Sequence, residues 1–498
     1  MDDGRKIHFG LVFVLLLVTT AVYVNSLRNP FVVDDRAIIF QNAPSSDNWT
    51  FAGILRHSLI GANPSSSGYF RPLTSLTFVL NFSLARDRPA GYRIVNIALH
   101  LLVVAAVFVF FSLLSCRWIA ALSALLFSVH PAHVQAVSYI SSRSELLYTA
   151  LGLLCLICWH QGCQSRGWRR AVWLGGALFA FFTGLFAKET MVIVPLLAVV
   201  MDLSWSRSTW RRTLKENFGW YLGFVLLFCI YLSIRVGEGF PLTQEAGRQL
   251  DFFSRLRLAF KLFALNLGVV FYPLHLSLFR VVPLPGSIFE WHVILGLVLL
   301  VALLALVYLF WRLRREVSFG ILWFLISILP VLNLTLLVAP MMEHWLYLPL
   351  IGLTMAVVGM ARGLAEMTGR VRDFAVGICF IALLLSIRTV IRNHEWYDLV
   401  SVYSRDVELY PGNPRAWRWL GESLQRRGRF DEAARAYRNS LAINPNRSGT
   451  WEGLGYALLL AGKRDEALKA FSQALSMNPE DQLLLSIVRQ LSKDLSGK

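Results

Sequence analysis

Two carboxylates, Asp34 and Asp35, stand side by side in RNPFVVDDRAIIFQN (28–42), shortly after an apolar run that ends at Leu27. Asp34 lies seven positions after Leu27, and a chain of that length reaches at most about 25 Å. Either acid could therefore act as a general base at lipid headgroup height, where the phosphate of a lipid-linked substrate would sit. The alternative is a solvated pair, or an N-cap for a helix starting at Arg36. A phosphate leaving group also needs cations. Arg143 in SSRSE (141–145) and Lys188 in AKET (187–190) are candidates, each followed closely by a glutamate, Glu145 and Glu189. The same residues would also serve as structural ion pairs or as side chains snorkelling to the interface. Arg71 in YFRPL (69–73) is either a phosphate or gating contact or a surface arginine ahead of a proline-started helix. His130 and His133, in HPAH, can share a helical face. They read as a metal pair, as phosphate donors or as polar helix ends. No clear third ligand accompanies them, which makes metal the weakest of the three.

These residues sit between apolar blocks. The chain has 498 residues, 56% hydrophobic and 16% charged, with positive mean hydropathy. Its apolar runs are about 20 residues long, the length of a membrane-spanning helix, whereas a β-barrel would show alternating segments of about 10. Spans are expected near 9–27, 94–114, 117–132, 146–163, 171–187, 190–203, 218–234, 291–311, 318–338, 345–363 and 373–391, eleven in all. The net charge of +17 gathers in short clusters between spans, such as SRGWRR (165–170) and WRLRRE (311–316). That pattern marks cytoplasmic loops rather than a nucleic-acid surface. If 257–272 also crossed, WRLRRE would face outward, so that segment is read as interfacial or re-entrant. The N-terminus is read as an uncleaved first span starting in the cytoplasm. The C-terminus then lies outside, in the periplasm of a bacterial inner-membrane protein or, alternatively, in the ER lumen. The long outer loops are 28–93 and 235–290, and every candidate site residue falls on that side. The six cysteines lie in or beside apolar runs and suggest no disulfide framework.

From residue 396 the composition becomes soluble and charged, with a 34-residue period. Trp417, Leu420, Gly421, Gly428, Ala433, Tyr437 and Pro445 recur as Trp451, Leu454, Gly455, Gly462, Ala467, Phe471 and Pro479. This is the tetratricopeptide pattern of paired helices. The expected architecture is all-α: a polytopic membrane domain over 1–395, then a tetratricopeptide solenoid over 396–498.

Taken in order, FVVDD, YFRPLTSLTFVLN, AGYRIVNIALHLL, HPAHVQAVSYISSRSELL, FAKETMVIVPLL and EHWLYLPLIG, with repeats behind them, resemble the transmembrane-and-tetratricopeptide O-mannosyltransferases of the GT-C superfamily. The resemblance covers nearly the whole chain. It implies a polyprenyl- or dolichyl-phosphate sugar donor, commonly mannose, and a protein or glycan acceptor. It implies a catalytic base at Asp34 or Asp35, with the first acid of the pair favoured, and phosphate contacts at Arg143 and Lys188; Arg71 and His344 are further candidates for the phosphate site. Glu145, Glu189, His130 and His133 would support them. Two positions depart from the family pattern: Arg93 stands where a histidine is expected, and His344 where an arginine is expected. In the implied reaction an acceptor hydroxyl attacks the anomeric carbon opposite the phosphate and an aspartate takes its proton. Configuration inverts, and neither cofactor nor divalent metal is required. A transporter or flippase would instead place ionisable residues at the bilayer midplane, and a membrane scaffold would leave the loop motifs without purpose.

Overall fold

In lipid, an apolar segment satisfies its backbone polar groups only by coiling into a helix or closing a barrel. Among the described residues every regular element is helical. The computed structural model describes residues 2–41, 53, 69–205, 210–240, 250–278, 280–334 and 341–496. Two units emerge. One comprises Met1–Leu276 with Val282–His394; the other comprises Glu395–Lys498 with the short segment Ser277–Val281.

The first unit begins with α1 (Asp2–Tyr23), a 3-10 turn at Val24–Arg28, α2 (Asp35–Gln41), α3 (Pro72–Ala85), α4 (Pro89–Leu114), α5 (Arg117–Ser128) and α6 (Val134–Val137). It continues through α7 (Arg143–Gln164), α8 (Gly167–Leu185), α9 (Val194–Trp205), α10 (Trp210–Gly237) and α11 (Phe252–Phe271). It closes with α12 (Trp291–Phe310), α13 (Arg315–Ile328), α14 (Tyr347–Thr368) and α15 (Val371–Glu395). Seven helical stretches among the described residues are long and apolar enough to span a bilayer: Phe9–Arg28, Pro89–Leu114, Ile140–Gln164, Trp210–Gly237, Trp291–Phe310, Glu343–Thr368 and Val371–Glu395. Bare apolar side chains such as Val298, Val301 and Tyr308 on α12 suit a lipid surround. The protein is thus a multi-pass membrane protein.

The expected count of eleven differs from this for local reasons. α5 and α6 make an eighth span only as a broken pair bent by 54°. The bend falls at His130–Pro131, because proline lacks an N–H and drives its predecessor out of helical geometry. The runs 171–187, 190–203 and 318–338 form shorter or more charged helices. α8 carries Arg169 and Arg170 in its first turn, while α9 and α13 abut 3-10 turns at Glu189–Ile193 and Leu329–Val331. The ambiguous segment forms α11, whose Arg255, Arg257 and Lys261 set it apart from the seven. Close helix approach relies on small residues: a Cβ on Gly320 of α13 would lie 2.4 Å from the carbonyl oxygen of Gly352 on α14.

The second unit stacks α16 (Leu399–Leu409), α17 (Pro414–Arg426), α18 (Phe430–Ile443), α19 (Ser448–Leu460), α20 (Arg464–Met477) and α21 (Gln482–Ser496). The sequence period becomes repeated geometry. Trp417 Nε1 donates to Pro411 O and Trp451 Nε1 to Pro445 O, both at 2.8 Å. Gly421 and Gly455 leave room for the rings of Tyr437 and Phe471, which would meet an added Cβ at 3.0 and 2.7 Å.

Candidate active site

The turn SSRSE, at the junction of the 3-10 turn Ile140–Ser142 with α7, faces a different partner with nearly every residue. The Ser141 N–H and hydroxyl donate to Asp35 Oδ1 at 2.9 and 2.7 Å. Arg143 reaches α3 and α4, the Ser144 hydroxyl lies 3.5 Å from Arg71 Nη1, and Glu145 pairs with Lys188. This single turn therefore joins the carboxylate pair to the cationic residues.

The two acids differ. Asp35 is fully buried at the first position of α2, and its second oxygen accepts from Val32 N–H at 3.0 Å. Burial pushes its carboxyl up to about 6, against the opposing pull of Arg93 and of its hydrogen bonds to Ser141 and Val32. Asp34 is only half-buried and takes a 3.4 Å contact from the Tyr139 hydroxyl. The residue before the pair, Val33, has φ of 47°. A β-branched residue in that left-handed region is strained, and such strain persists only where surrounding contacts over-determine it. Those contacts are the Asp35 clasp and the packing of Ile38 and Ile39 against Phe78, Tyr92 and Ile140.

Four ionic residues meet beside this loop. Lys188, nearly fully buried, is hydrogen-bonded to Glu145 and sits 5.3 Å from the Tyr148 ring centroid. Arg71 makes a bidentate pair with Glu189, Nη2–Oε1 at 2.7 Å and Nε–Oε2 at 3.2 Å. Burial lowers the Lys188 pKa, with Glu145 opposing. Burial would raise Glu189, but Arg71 outweighs it and holds this carboxyl down to about 2. Burial would lower Arg71 too, and Glu189 reverses that, keeping the guanidinium charged. His344 Nε2 lies 3.8 Å from Glu145 Oε1, and the His344 backbone N–H donates to Gln135 Oε1 at 3.0 Å. Lys188, Arg71, His344, Glu145 and Glu189 thus form one cluster. Two cations face two carboxylates, and an anionic ligand could exchange places with a carboxylate in such a set.

Other expected site residues lie elsewhere. Among the described residues no carboxylate is hydrogen-bonded to Arg143. Its five N–H donors are met by Asn96 Oδ1, Thr77 O and Oγ1, Asn81 Oδ1 and Tyr92 O at 2.8–3.4 Å, with the Phe78 ring 4.3 Å away. With all of them occupied, Arg143 braces α3 and α4 against α7 instead of presenting a free cation. His130 accepts from Ala132 N–H at Nδ1 and meets Val270 O at 3.0 Å through Nε2, capping the bend. The His133 ring lies between Phe127 and Tyr347, centroids 4.5 and 4.7 Å away. Neither histidine joins the ionic cluster, and among the described residues no three His, Cys, Asp or Glu side chains are grouped to hold a metal. Tyr139, Ser141 and Asn96 were not singled out from the sequence, although each sits in a quoted motif. Arg93 stood out only as a departure from the family pattern; it donates to the carbonyls of Ser138, Asn29 and Pro30 and so braces the acidic loop.

Fold and site together define a polytopic helical membrane protein with a partly buried ionic cluster and an acidic pair clasped through Asp35, followed by tetratricopeptide repeats. The family model of the tetratricopeptide repeat matches residues 414–447 and 449–481. Over most of its length the chain is similar to mouse (Mus musculus) protein O-mannosyl-transferase TMTC4, 26% identical across 86% of this chain and 66% of the relative. Similarity extends to the Caenorhabditis elegans protein O-mannosyl-transferase F38B6.6, at 25% over 88% of this chain and 63% of the relative. Human (Homo sapiens) protein O-mannosyl-transferase TMTC2 matches at 23% over 84% and 61%. The chain spans less than two thirds of the length of these curated relatives.

Proposed function

We propose that the protein is a membrane glycosyltransferase that moves a sugar, mannose by analogy with its relatives' names, from a polyprenyl- or dolichyl-phosphate donor to a protein hydroxyl. The observation that carries this reading is the SSRSE turn: its Ser141 holds Asp35, the neighbour of the half-buried Asp34, while its Ser144 and Glu145 contact Arg71 and the buried Lys188. Asp34 is the base: Asp35 spends both oxygens on backbone and serine donors, whereas Asp34 is partly open. The acceptor hydroxyl attacks the anomeric carbon, Asp34 takes its proton, and the carbon–oxygen bond to phosphate breaks with its electrons passing to the lipid phosphate. Inversion follows from attack opposite the leaving group. Lys188 and Arg71, with His344 beside them, neutralise that phosphate by exchanging part of their contact with Glu145 and Glu189. This reading requires no divalent metal. The repeat unit binds the acceptor on the non-cytoplasmic side, in the periplasm or ER lumen.

Donor binding tests the phosphate assignment. Loss of a charged hydrogen-bond partner costs about 1.5–3 kcal/mol, so Arg71→Ala should weaken binding of polyprenyl phosphate to the full chain by about tenfold or more. Unchanged affinity in a monodisperse Arg71→Ala protein would remove the cluster from the donor site.

A further inference from the structure

The acidic loop is tied at its base into a closed ring of hydrogen bonds that the proposed chemistry does not use. Asn393, in the last turn of α15, is fully buried. Its Oδ1 accepts from the Ser138 hydroxyl at 2.6 Å, its Nδ2 donates to Val22 O at 3.2 Å, and its backbone carbonyl accepts from Asn29 Nδ2 at 2.9 Å. Arg93 Nε donates to Ser138 O at 2.9 Å, and Arg93 Nη1 donates to Asn29 O. The ring therefore runs Asn393, Ser138, Arg93, Asn29 and back to Asn393, and all four residues are buried.

Two routes lead from this ring to Asp34. Along the chain, Asn29 precedes it by five residues, through Pro30 and the strained Val33. Through space, the residue after Ser138 is Tyr139, whose hydroxyl contacts Asp34 Oδ2. Rotation or shift of Ser138 moves Tyr139 and, by way of Arg93, the Asn29–Pro30 segment. The bond to Ser138 depends on the Asn393 side chain, whereas the bond from Asn29 ends on its backbone and survives truncation. α15 is held independently nearby, by the Thr389 hydroxyl to Val129 O at 2.7 Å and by Asn25 Nδ2 to Val390 O at 2.9 Å. A side-chain change at Asn393 therefore frees the ring without freeing the helix.

We propose that Asn393 is a positioning residue for Asp34, acting through Ser138 and Tyr139. This rests on the reading of Asp34 as the base. Asn393→Ala and Ser138→Ala each delete the same bond from opposite ends. In the full chain in lipid nanodiscs, with polyprenyl-phosphate mannose as donor, each should lower turnover by roughly 10- to 100-fold, the scale of a small misplacement of a reacting group. Donor affinity should stay within about twofold, since only placement of the base has changed. The double variant should be no worse than the poorer single, because both act through one contact. Turnover unaffected in either single variant overturns the proposal while leaving Asp34 as base, provided Asp34→Asn is inactive in the same assay. A parallel loss of donor affinity and turnover also overturns it, by marking Asn393 as merely structural. If Asn393→Ala does not fold, Ser138→Ala decides on the same criteria. Full turnover in Asp34→Asn refutes the base assignment itself, and this inference with it.

Discussion

Replacing Asp35 with asparagine separates the two acids in a way the structure makes quantitative. In the folded protein burial raises this carboxyl from 3.8 to about 6, which corresponds to about 3 kcal/mol of unfavourable charge burial at neutral pH. The sign follows from proton binding. The native state holds the proton more tightly than the unfolded chain, so stability declines as pH rises from about 4 to about 6 and is level above that. Asparagine removes the buried charge. It also turns one acceptor oxygen into a donor amide facing either Val32 N–H or the Ser141 pair, and a buried unmet donor costs about 1–3 kcal/mol. The two effects offset within a few kcal/mol, so the thermal midpoint of Asp35→Asn should stay close to wild type. Turnover should not. Val33 is strained, and with the clasp weakened that strain can relax by moving Asp34, which at about 1 Å of displacement costs on the order of 10²-fold. The assay is sugar release from a polyprenyl-phosphate sugar across pH, with thermal unfolding followed in parallel. Wild-type turnover should fall as pH drops through about 6, when Asp35 takes up its proton. The variant, already uncharged, should lack that part of the acid limb. Wild-type turnover with the acid limb intact in Asp35→Asn would refute the clasp.

Lys188→Ala leaves Glu145 buried without its cation and should destabilise the membrane unit by about 3–5 kcal/mol, read as a lower unfolding midpoint. Lys188→Met combined with Glu145→Gln should recover the midpoint yet not donor binding. A cysteine placed at Ser486, an exposed position on α21, should react with impermeant thiol reagents in intact cells or sealed right-side-out vesicles; labelling only after permeabilisation would put the repeats on the cytoplasmic side. Gly455→Val, with the Phe471 ring 2.7 Å from where a Cβ would sit, should lower the unfolding midpoint of the repeats. An unchanged midpoint would mean that the ring shifts freely.

The repeats were legible because their 34-residue period is itself a packing statement: glycine recurs wherever an aromatic ring crosses. Apolar run length likewise located the seven long apolar helices; the other expected runs fall where Pro131 bends a pair, where Arg169 and Arg170 charge a helix start, or on shorter helices. In the site, Lys188–Glu145 and Arg71–Glu189 were visible as residue types that are costly to bury alone, though the sequence does not pair them. Asp34 and Asp35 were visible as a pair, while their difference in burial comes from the fold of α2 onto α3. Arg143 illustrates the limit. An arginine in a loop motif reads as a free cation until Asn81, Asn96 and Thr77, between 47 and 66 residues earlier in the chain, are seen to occupy its donors. Asn393 gave no signal, because its partners lie 255 and more residues away.

The most direct measurement of the central claim is turnover of polyprenyl-phosphate mannose by the purified full chain in lipid nanodiscs, for wild type beside Asp34→Asn. Loss of a general base costs about 10²–10⁴ in rate, so the variant should be slowed by that factor while binding the donor as well as wild type or better, one negative charge having left the site. Equal turnover in the two proteins, or a variant that no longer binds donor, would contradict the assignment of Asp34 as the base.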